Sequence, residues 1–202
     1  MPNKSLTATM DLLAKANTDN YDIIAIQEPY INFLGNVRSN PGWYSVYPRT
    51  HYINRNKRTH SMILISRKMA TNSWSTIDIG SPDITAVKVK TQTSSVTIYN
   101  LYCDCTHSDS LLDLKRHLQA CTKDRENSEE DTEIIWLGDF NRHHPLWDNE
   151  QNTHLFTRSN LDKARILMNA TIDYNLQIVT NTGEVVHTYT MVDIRKARIL
   201  IT

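Results

Sequence analysis

Short apolar runs separated by polar turns recur along the chain. Two of them, IIAIQ (23–27) and IIWL (134–137), are continuous, which is typical of strands buried on both faces. ITAVKVK (84–90) instead alternates apolar and polar residues, as expected of a strand with one face turned to solvent or to another layer. Further strands are predicted at 44–47, 61–66, 74–79, 96–102, 177–180 and 185–190.

Apolar residues at helical spacing occur in three other stretches. The first follows Ser5, a suitable N-cap, and the second follows Ser108 and Ser110, either of which can cap a helix. The predicted helices are 6–16, a segment that carries Leu111, Leu114, Leu118 and Cys121, and a third around 160–175.

Runs of strands interrupted by a few helices predict an α+β fold with helices covering sheets. The close succession of strands over 61–102, with turns at 80–82 and 91–95, favours an antiparallel meander. Residues 32–59 are rich in Asn, Gly and Pro and are predicted to be mostly loop, as is the acidic run 124–133. The 202 residues fit one domain, 1–202.

Composition narrows the functional class only slightly. The 22 basic residues balance the 22 acidic ones, so the net charge does not indicate a nucleic-acid partner. A local patch of basic residues would nevertheless suffice to hold a few phosphates. Three cysteines do not make a disulfide framework, which favours a reducing nuclear or cytoplasmic location. No apolar run has membrane-spanning length, so no membrane partner is expected.

Candidate chemistry lies at the ends of the two most apolar strands. Glu28 follows IIAIQ, and Asp139 and Asn141 follow IIWLG. A carboxylate held by a rigid strand end suits Mg²⁺ ligation or the orientation of a water, and an amide two residues on can contact a phosphoryl oxygen. The alternative is an exposed strand-end acid and an ordinary Asx turn over 139–141, and the spacing alone leaves both open.

The histidines and cysteines raise a separate hypothesis of structural zinc. His143, His144, Cys103, Cys105 and His107 are zinc-ligand types, but their spacing matches no standard zinc motif. A histidine that contacts a phosphate is the preferred interpretation, and the four tryptophans are predicted to pack in the core or loops unless one stacks on a base.

Four stretches resemble the endonuclease/exonuclease/phosphatase superfamily in order and spacing. They are IIAIQEPY, SMILIS, VTIYNLYCDCTHSDSL and IIWLGDFNRHHPLWD, and they are most similar to the endonuclease domains of LINE-type (non-long-terminal-repeat) retrotransposons, particularly fungal ones. The resemblance implies a four-layered α/β/β/α sandwich of two mostly antiparallel sheets flanked by helices. It also implies cleavage of phosphodiester or phosphomonoester bonds, here in DNA, with Mg²⁺ or Mn²⁺.

The resemblance also implies roles for individual residues. The family's metal-binding glutamate falls on Glu28, its active-site tyrosine on Tyr102, its water-orienting aspartate on Asp139 and its phosphate-contacting asparagine on Asn141. The HHPLWD extension is typical of the retrotransposon branch, so His144, Trp147 and Asp148 are expected to shape the site.

Two family blocks have no match in the sequence. The family's first strand carries an asparagine near the metal, and its last block, Ser/Thr-Asp-His, supplies a histidine that stabilises phosphorane charge. Asp193 and His187 are present, but neither lies in the expected motif. The expectation is an incomplete domain that is missing the first strand and the C-terminal Asp-His block. Its nicking activity is expected to be impaired, because catalytic residues act together and the loss of some of them removes most of the rate.

Two other functions remain open at this stage. One is a noncatalytic remnant that binds nucleic acid or a partner through Arg55, Lys57 and Arg58. The other is a small-molecule phosphatase of the same superfamily, which the HHPLWD extension disfavours.

Overall fold

The computed structural model describes residues 6–38, 40–53, 58–91, 94–125, 132–178 and 189–192. Within them the chain forms helices α1 (Leu6–Lys15), α2 (Thr50–Ile53), α3 (Asp109–Arg125) and α4 (Arg158–Asp173), and a 3₁₀ helix at Glu150–Leu155. The strands are β1 (Ile23–Gln27), β2 (Trp43–Val46), β3 (Ser61–Ser66), β4 (Trp74–Ile77), β5 (Ile84–Lys90), β6 (Ser95–Tyr102), β7 (Thr132–Asp139) and β8 (Tyr189–Val192).

The first sheet has the strand order β2-β3-β1-β8, and all its pairs are antiparallel. Its two central strands, β1 and β3, are buried at every position, as their continuous apolar sequences require. Their register pairs Gln27 with Ser61, so the end of β1 lies beside the start of β3.

The second sheet has the order β4-β5-β6-β7. The first three strands form an antiparallel meander, whereas β7 runs parallel to β6. A parallel pair needs a crossover connection, and α3 supplies it. The parallel register places Tyr102 beside Asp139, so both strands end at the same edge.

The two sheets pack face to face through an apolar layer between them. Ile23 and Ile63 from the first sheet share this layer with Ile98 and Leu137 from the second. Leu12 and Leu13 of α1 cover the outer face of the first sheet. Helices α3 and α4 cover the outer face of the second sheet through Leu111, Leu114, Leu118, Leu167 and Ala170. The α+β prediction of a four-layered α/β/β/α sandwich is therefore confirmed.

Some details of the sequence prediction were wrong. The strand at 61–66 does not belong to the meander, because it pairs with β1 and β2 in the other sheet, where both of its faces are buried. Residues 177–178 are not strand, because the chain turns at Asn175 (φ 51°) and the Leu176 N–H donates back to the Thr171 carbonyl at 2.8 Å. Residues 50–53 form a short helix in the predicted loop.

Other predictions lie wholly or partly outside the described residues. These are Ser5, most of the acidic run, and the strand at 185–190 except for its last two residues, which belong to β8. The third helix is confirmed and begins at Arg158, where the Thr157 side chain accepts a hydrogen bond from the Asn160 N–H.

Candidate active site

One edge of the sandwich collects strand ends from both sheets. The Glu28 N–H, just after β1, donates to the His60 carbonyl at 2.7 Å. In the second sheet the Tyr102 N–H donates to the Asp83 carbonyl at 2.9 Å. The His60 N–H donates to the Pro82 carbonyl at 3.1 Å, which joins the two sheets at this edge. The candidate residues Glu28 and Tyr102, 74 positions apart in sequence, are thus brought together by backbone pairing.

Glu28 and Tyr102 interact directly. Burial, and then the negative charge of Glu28 and its hydrogen bond to the phenol, raise the pKa of Tyr102 well above its ordinary value. The phenol therefore stays protonated at neutral pH and donates to the carboxylate. This hydrogen bond orients the Glu28 side chain at the mouth of the site.

Asp139 lies near the same carboxylate. Its pKa is raised, first by burial and then by the charge of Glu28, against the opposing effects of the Asn141 N–H, Arg142 and His143. A carboxyl group whose pKa is raised by burial and by a neighbouring carboxylate is a pattern seen at functional sites, where it acts as a base or faces a cation.

Asn141 completes an Asx turn after β7. Its N–H donates to Asp139 Oδ1 at 2.9 Å, and its side-chain Nδ2 donates to the Cys103 carbonyl at 2.8 Å. The turn expected as the alternative to a functional site is therefore present, and it also holds the Asp139 carboxylate in place. Burial raises the pKa of the neighbouring Cys103 thiol to about 12, so that thiol is neutral.

Two residues at this edge adopt a left-handed backbone conformation. Glu28 has φ 48° and Asn141 has φ 46°. This region is uncommon for residues with a side chain, and asparagine tolerates it better than glutamate does. Backbone strain of this kind concentrates at functional sites, where surrounding structure holds it in place. Both candidate side chains are thus positioned by a conformation that the sandwich enforces.

A buried polar network supports the site from between the sheets. Asn100 Nδ2 donates to the carbonyls of Ile26 (3.0 Å) and Met62 (2.9 Å), and Gln27 Nε2 donates to Asn100 Oδ1. Ser61 Oγ donates to the Asn100 carbonyl at 2.8 Å. Because Gln27 precedes Glu28 and Asn100 lies two residues before Tyr102, this network fixes the two strands that carry the site.

Asn100→Ala is expected to lower the free energy of unfolding by about 2–4 kcal/mol, since several buried polar groups lose their partner at about 1–3 kcal/mol each and partly recover it by relaxation. Urea unfolding followed by tryptophan fluorescence measures this. Thr76→Ala on the exposed face of β4 is the control and should change stability by less than about 0.5 kcal/mol. Equal stabilities of the two variants would contradict the supporting role of the network.

Arg142 anchors the loop that follows the site. Its guanidinium is buried and donates to the carbonyls of Asp104 (3.0 Å) and His107 (2.9 Å) and to Ser108 Oγ (3.2 Å). The Arg142 carbonyl accepts from Trp147 Nε1 at 2.7 Å. Arginine suits this position because its rigid fork of donors satisfies several acceptors at once.

The HHPLWD extension folds back on itself. The His144 N–H donates to Asp148 Oδ2 at 2.7 Å, the Leu146 N–H donates to His144 Nδ1 at 3.2 Å, and the His144 ring packs 5.0 Å from Trp147. These contacts give His144 a structural role in the loop. The histidine whose charge acts on Asp139 is its neighbour, His143, which also pairs with Asp148 at 3.4 Å.

The donor set at this edge fits a divalent cation. Two mutually repelling carboxylates, Glu28 and Asp139, provide the hard oxygen ligands that Mg²⁺ and Mn²⁺ prefer, with water and substrate phosphate completing the shell. No cluster of three or more His, Cys, Asp or Glu side chains suited to a metal is found in the described part of the chain. Its three cysteines are free.

Comparisons with known proteins agree with this architecture. Residues 96–194 match the sequence model of a family described as Endonuclease-reverse transcriptase. A solved structure, "Endonuclease domain of TRAS1, a telomere-specific non-LTR retrotransposon", shares the fold with a TM-score of 0.59 and 16% identity, covering 88% of this chain and 69% of that chain. A search of curated proteins gives no match.

The family match covers residues 96–194, just under half of the chain, and the structural match shows that the chain shares the fold of that endonuclease domain. Both findings agree with the superfamily and the LINE-type retrotransposon group that the motifs resemble. No helix in the described segments is long and apolar enough to cross a membrane.

Two residues at the site escaped the sequence interpretation. His60 Nδ1 and Asp83 Oδ1 lie 2.6 Å apart, and the His60 ring is 5.0 Å from Tyr102. The sequence motifs point to residues that follow strands, whereas His60 and Asp83 precede β3 and β5. In antiparallel pairs the start of one strand meets the end of its neighbour, so a polar residue just before a buried strand was the available signal.

Proposed function

We propose that the domain nicks DNA by Mg²⁺- or Mn²⁺-dependent hydrolysis of a phosphodiester bond. The supporting observation is the raised pKa of Asp139 beside the Glu28 carboxylate, on strand ends held rigid by pairing between and within the sheets. A carboxylate with a raised pKa is a better proton acceptor, and its fixed position lowers the cost of orienting the attacking water.

Each residue has a defined part in this reaction. Asp139 accepts a proton from the water that attacks phosphorus, while the bond to the leaving oxygen breaks and that oxygen takes up a proton from solvent water. Glu28 is the ligand that would hold the cation, and Tyr102 orients Glu28 through its hydroxyl. When bound, the cation neutralises charge on the phosphate oxygens. Asn141 holds Asp139 through its N–H.

Glu28→Gln is expected to reduce plasmid nicking in Mg²⁺ by about 100-fold or more, because the neutral amide is a poor ligand for a hard cation. Glu133→Gln is the matched control, since Glu133 is exposed near the opposite end of β7. Conversion of supercoiled to open-circular plasmid measures both. The proposal fails if Glu28→Gln nicks as fast as Glu133→Gln, or if the parent chain does not nick at all.

The second candidate is a noncatalytic domain that binds nucleic acid. Arg58 is exposed one residue from Thr59 at the site edge, whereas Arg55 and Lys57 lie outside the described residues. Salt-dependent DNA binding without turnover would favour this function. A small-molecule phosphatase would instead release phosphate from nucleotide monoesters and leave plasmid intact. Impaired turnover and a nuclear or cytoplasmic location remain predictions from the sequence.

A further inference from the structure

Four large apolar side chains stand out from the surface on the Glu28 side of the site. Phe33 is 96% exposed, Leu34 69%, Tyr52 64% and Ile53 69%. We propose that Phe33, Leu34, Tyr52 and Ile53, here called the apolar surface, stack against unpaired DNA bases beside the cleavage site. The proposal rests on the nicking function and adds the form of the substrate: a strand whose bases are displaced from the duplex.

The apolar surface consists of two segments joined by His51. His51 Nε2 lies 2.8 Å from the Gly35 carbonyl, next to Leu34, and its Nδ1 lies 2.7 Å from Thr59 Oγ1. Its ring stacks on Tyr47 at 4.2 Å and meets the edge of Tyr52 at 5.1 Å. Both ring nitrogens of His51 therefore bind protein atoms, and the two segments are held side by side.

The turn that presents Phe33 is itself well ordered by hydrogen bonds. Asn32 Oδ1 accepts from the N–H groups of Leu34 (2.9 Å) and Asn36 (3.0 Å), and the Asn32 N–H donates to the Asn36 carbonyl at 2.9 Å. Among the described residues this turn displays Phe33 almost entirely to solvent, at 96% exposure, and exposed apolar side chains that form a patch mark interaction sites. Such a side chain is suited to contact a ligand with an apolar face.

The apolar surface is linked to the candidate active site through hydrogen bonds and the backbone. Thr59, which binds His51, precedes His60, whose carbonyl accepts the Glu28 N–H at 2.7 Å. On the other side, four residues separate Glu28 from Phe33 in the sequence. A strand cleaved near Glu28 would therefore pass beside the apolar surface.

Charge favours DNA as the occupant over a second copy of this chain, which has no net charge. Residues 29–77 contain no Asp or Glu, although the whole chain has equal numbers of acidic and basic residues. Arg49 and Arg58 flank the second segment and are exposed, and Arg49 pairs with Asp78, which is also exposed. Aromatic side chains beside cations are the combination that single-stranded nucleic acid selects, because bases stack while phosphates need positive charge.

The test measures binding to two fluorescently labelled DNA duplexes, one fully paired and one with a short unpaired bubble, in EDTA so that cleavage does not interfere. Phe33→Ser/Tyr52→Ser should weaken binding to the bubble duplex about tenfold, as expected for the loss of base stacking, and change binding to the paired duplex little. Leu112→Ser/Ile172→Ser, with exposed sites on α3 and α4, is the matched control and should change neither.

Three outcomes would overturn the inference: no loss of binding in the Phe33/Tyr52 variant, an equal loss on both duplexes, or dimerisation of the parent chain that the same variant abolishes. The last result, obtained by sedimentation, would assign the apolar surface to a second copy. The nicking function is judged separately, by Glu28→Gln in Mg²⁺. Bubble binding that depends on Phe33 and Tyr52 in a chain that does not nick would therefore refute the function while leaving the surface assigned.

Discussion

Gly138→Ala is expected to leave the chain largely unfolded. Gly138 has φ 136°, and a Cβ at this position would lie 1.9 Å from the Leu101 carbonyl oxygen and 2.8 Å from two other backbone atoms of Leu101. Leu101 cannot retreat, because β6 is paired on both sides, to β5 and to β7. The clash and the backbone strain together are expected to lower the free energy of unfolding by more than about 4 kcal/mol. An ordinary domain has a free energy of unfolding of about 5–15 kcal/mol, so this is a large part of it.

Gly80→Ala is the matched control for this prediction. Gly80 also has a positive φ of 74°, but in the described part of the chain, its own neighbours aside, no atom lies within 4 Å of the added Cβ. Its cost is therefore conformational only, about 1–2 kcal/mol. Thermal unfolding followed by circular dichroism compares the two variants. Similar melting temperatures would show that β6 and β7 do not approach as closely as the structure has them.

Asp139→Asn is expected to abolish nicking without lowering stability. The amide cannot accept the proton of the attacking water, and loss of a general base costs about 10²–10⁴-fold in rate. The amide oxygen can still accept the Asn141 N–H, so the turn is retained. Removing a buried charge that Glu28 repels should therefore leave the variant as stable as the parent, or more so.

The pH dependence of stability follows from the direction of the Asp139 shift. Its pKa is 3.8 ordinarily and higher in the folded state, so the folded chain holds the proton more strongly. The contribution of Asp139 to the free energy of unfolding accordingly falls as pH rises from the ordinary pKa to the folded-state pKa. Above the folded-state pKa the fold bears the full cost of holding the ionised carboxylate. Urea unfolding of the parent and of Asp139→Asn over this range should show the variant gaining relative stability with pH. If the stability of the variant relative to the parent falls with pH instead, the pKa of Asp139 is not raised in the folded state.

Much of the fold was predictable because the sandwich depends on burial. IIAIQ is apolar at its first four positions, and β1 is buried at every position, including polar Gln27. SMILIS is also mostly apolar, but its assignment to the meander was wrong. The assignment followed from its closeness in sequence to β4 and β5, whereas the strand pairs with β1, which is far from it in sequence. Local patterns report how buried a strand is, but the choice of neighbour depends on how both sheets fill the space between them.

The candidate site was predictable where its residues lie in motifs, and was missed where its residues come together only in the fold. Glu28, Tyr102, Asp139 and Asn141 were named from motifs, and the structure brings them to one edge. Their role in catalysis remains a prediction. His60 and Asp83 were missed, because they become neighbours only when antiparallel pairing aligns the starts of β3 and β5 with the ends of β1 and β6. His144 was also named, and its hydrogen bonds lie within the HHPLWD loop, so its part in the site stays a prediction.

The most direct measurement is single-turnover nicking of supercoiled plasmid in Mg²⁺, with protein in excess, by the parent chain and by Asp139→Asn at matched folded concentration. We expect slow but complete conversion to open-circular DNA by the parent, none with EDTA, and at least a 100-fold slower reaction by the variant. Equal rates for the two proteins, or no conversion by the parent, would contradict a hydrolytic site built on Asp139 and Glu28.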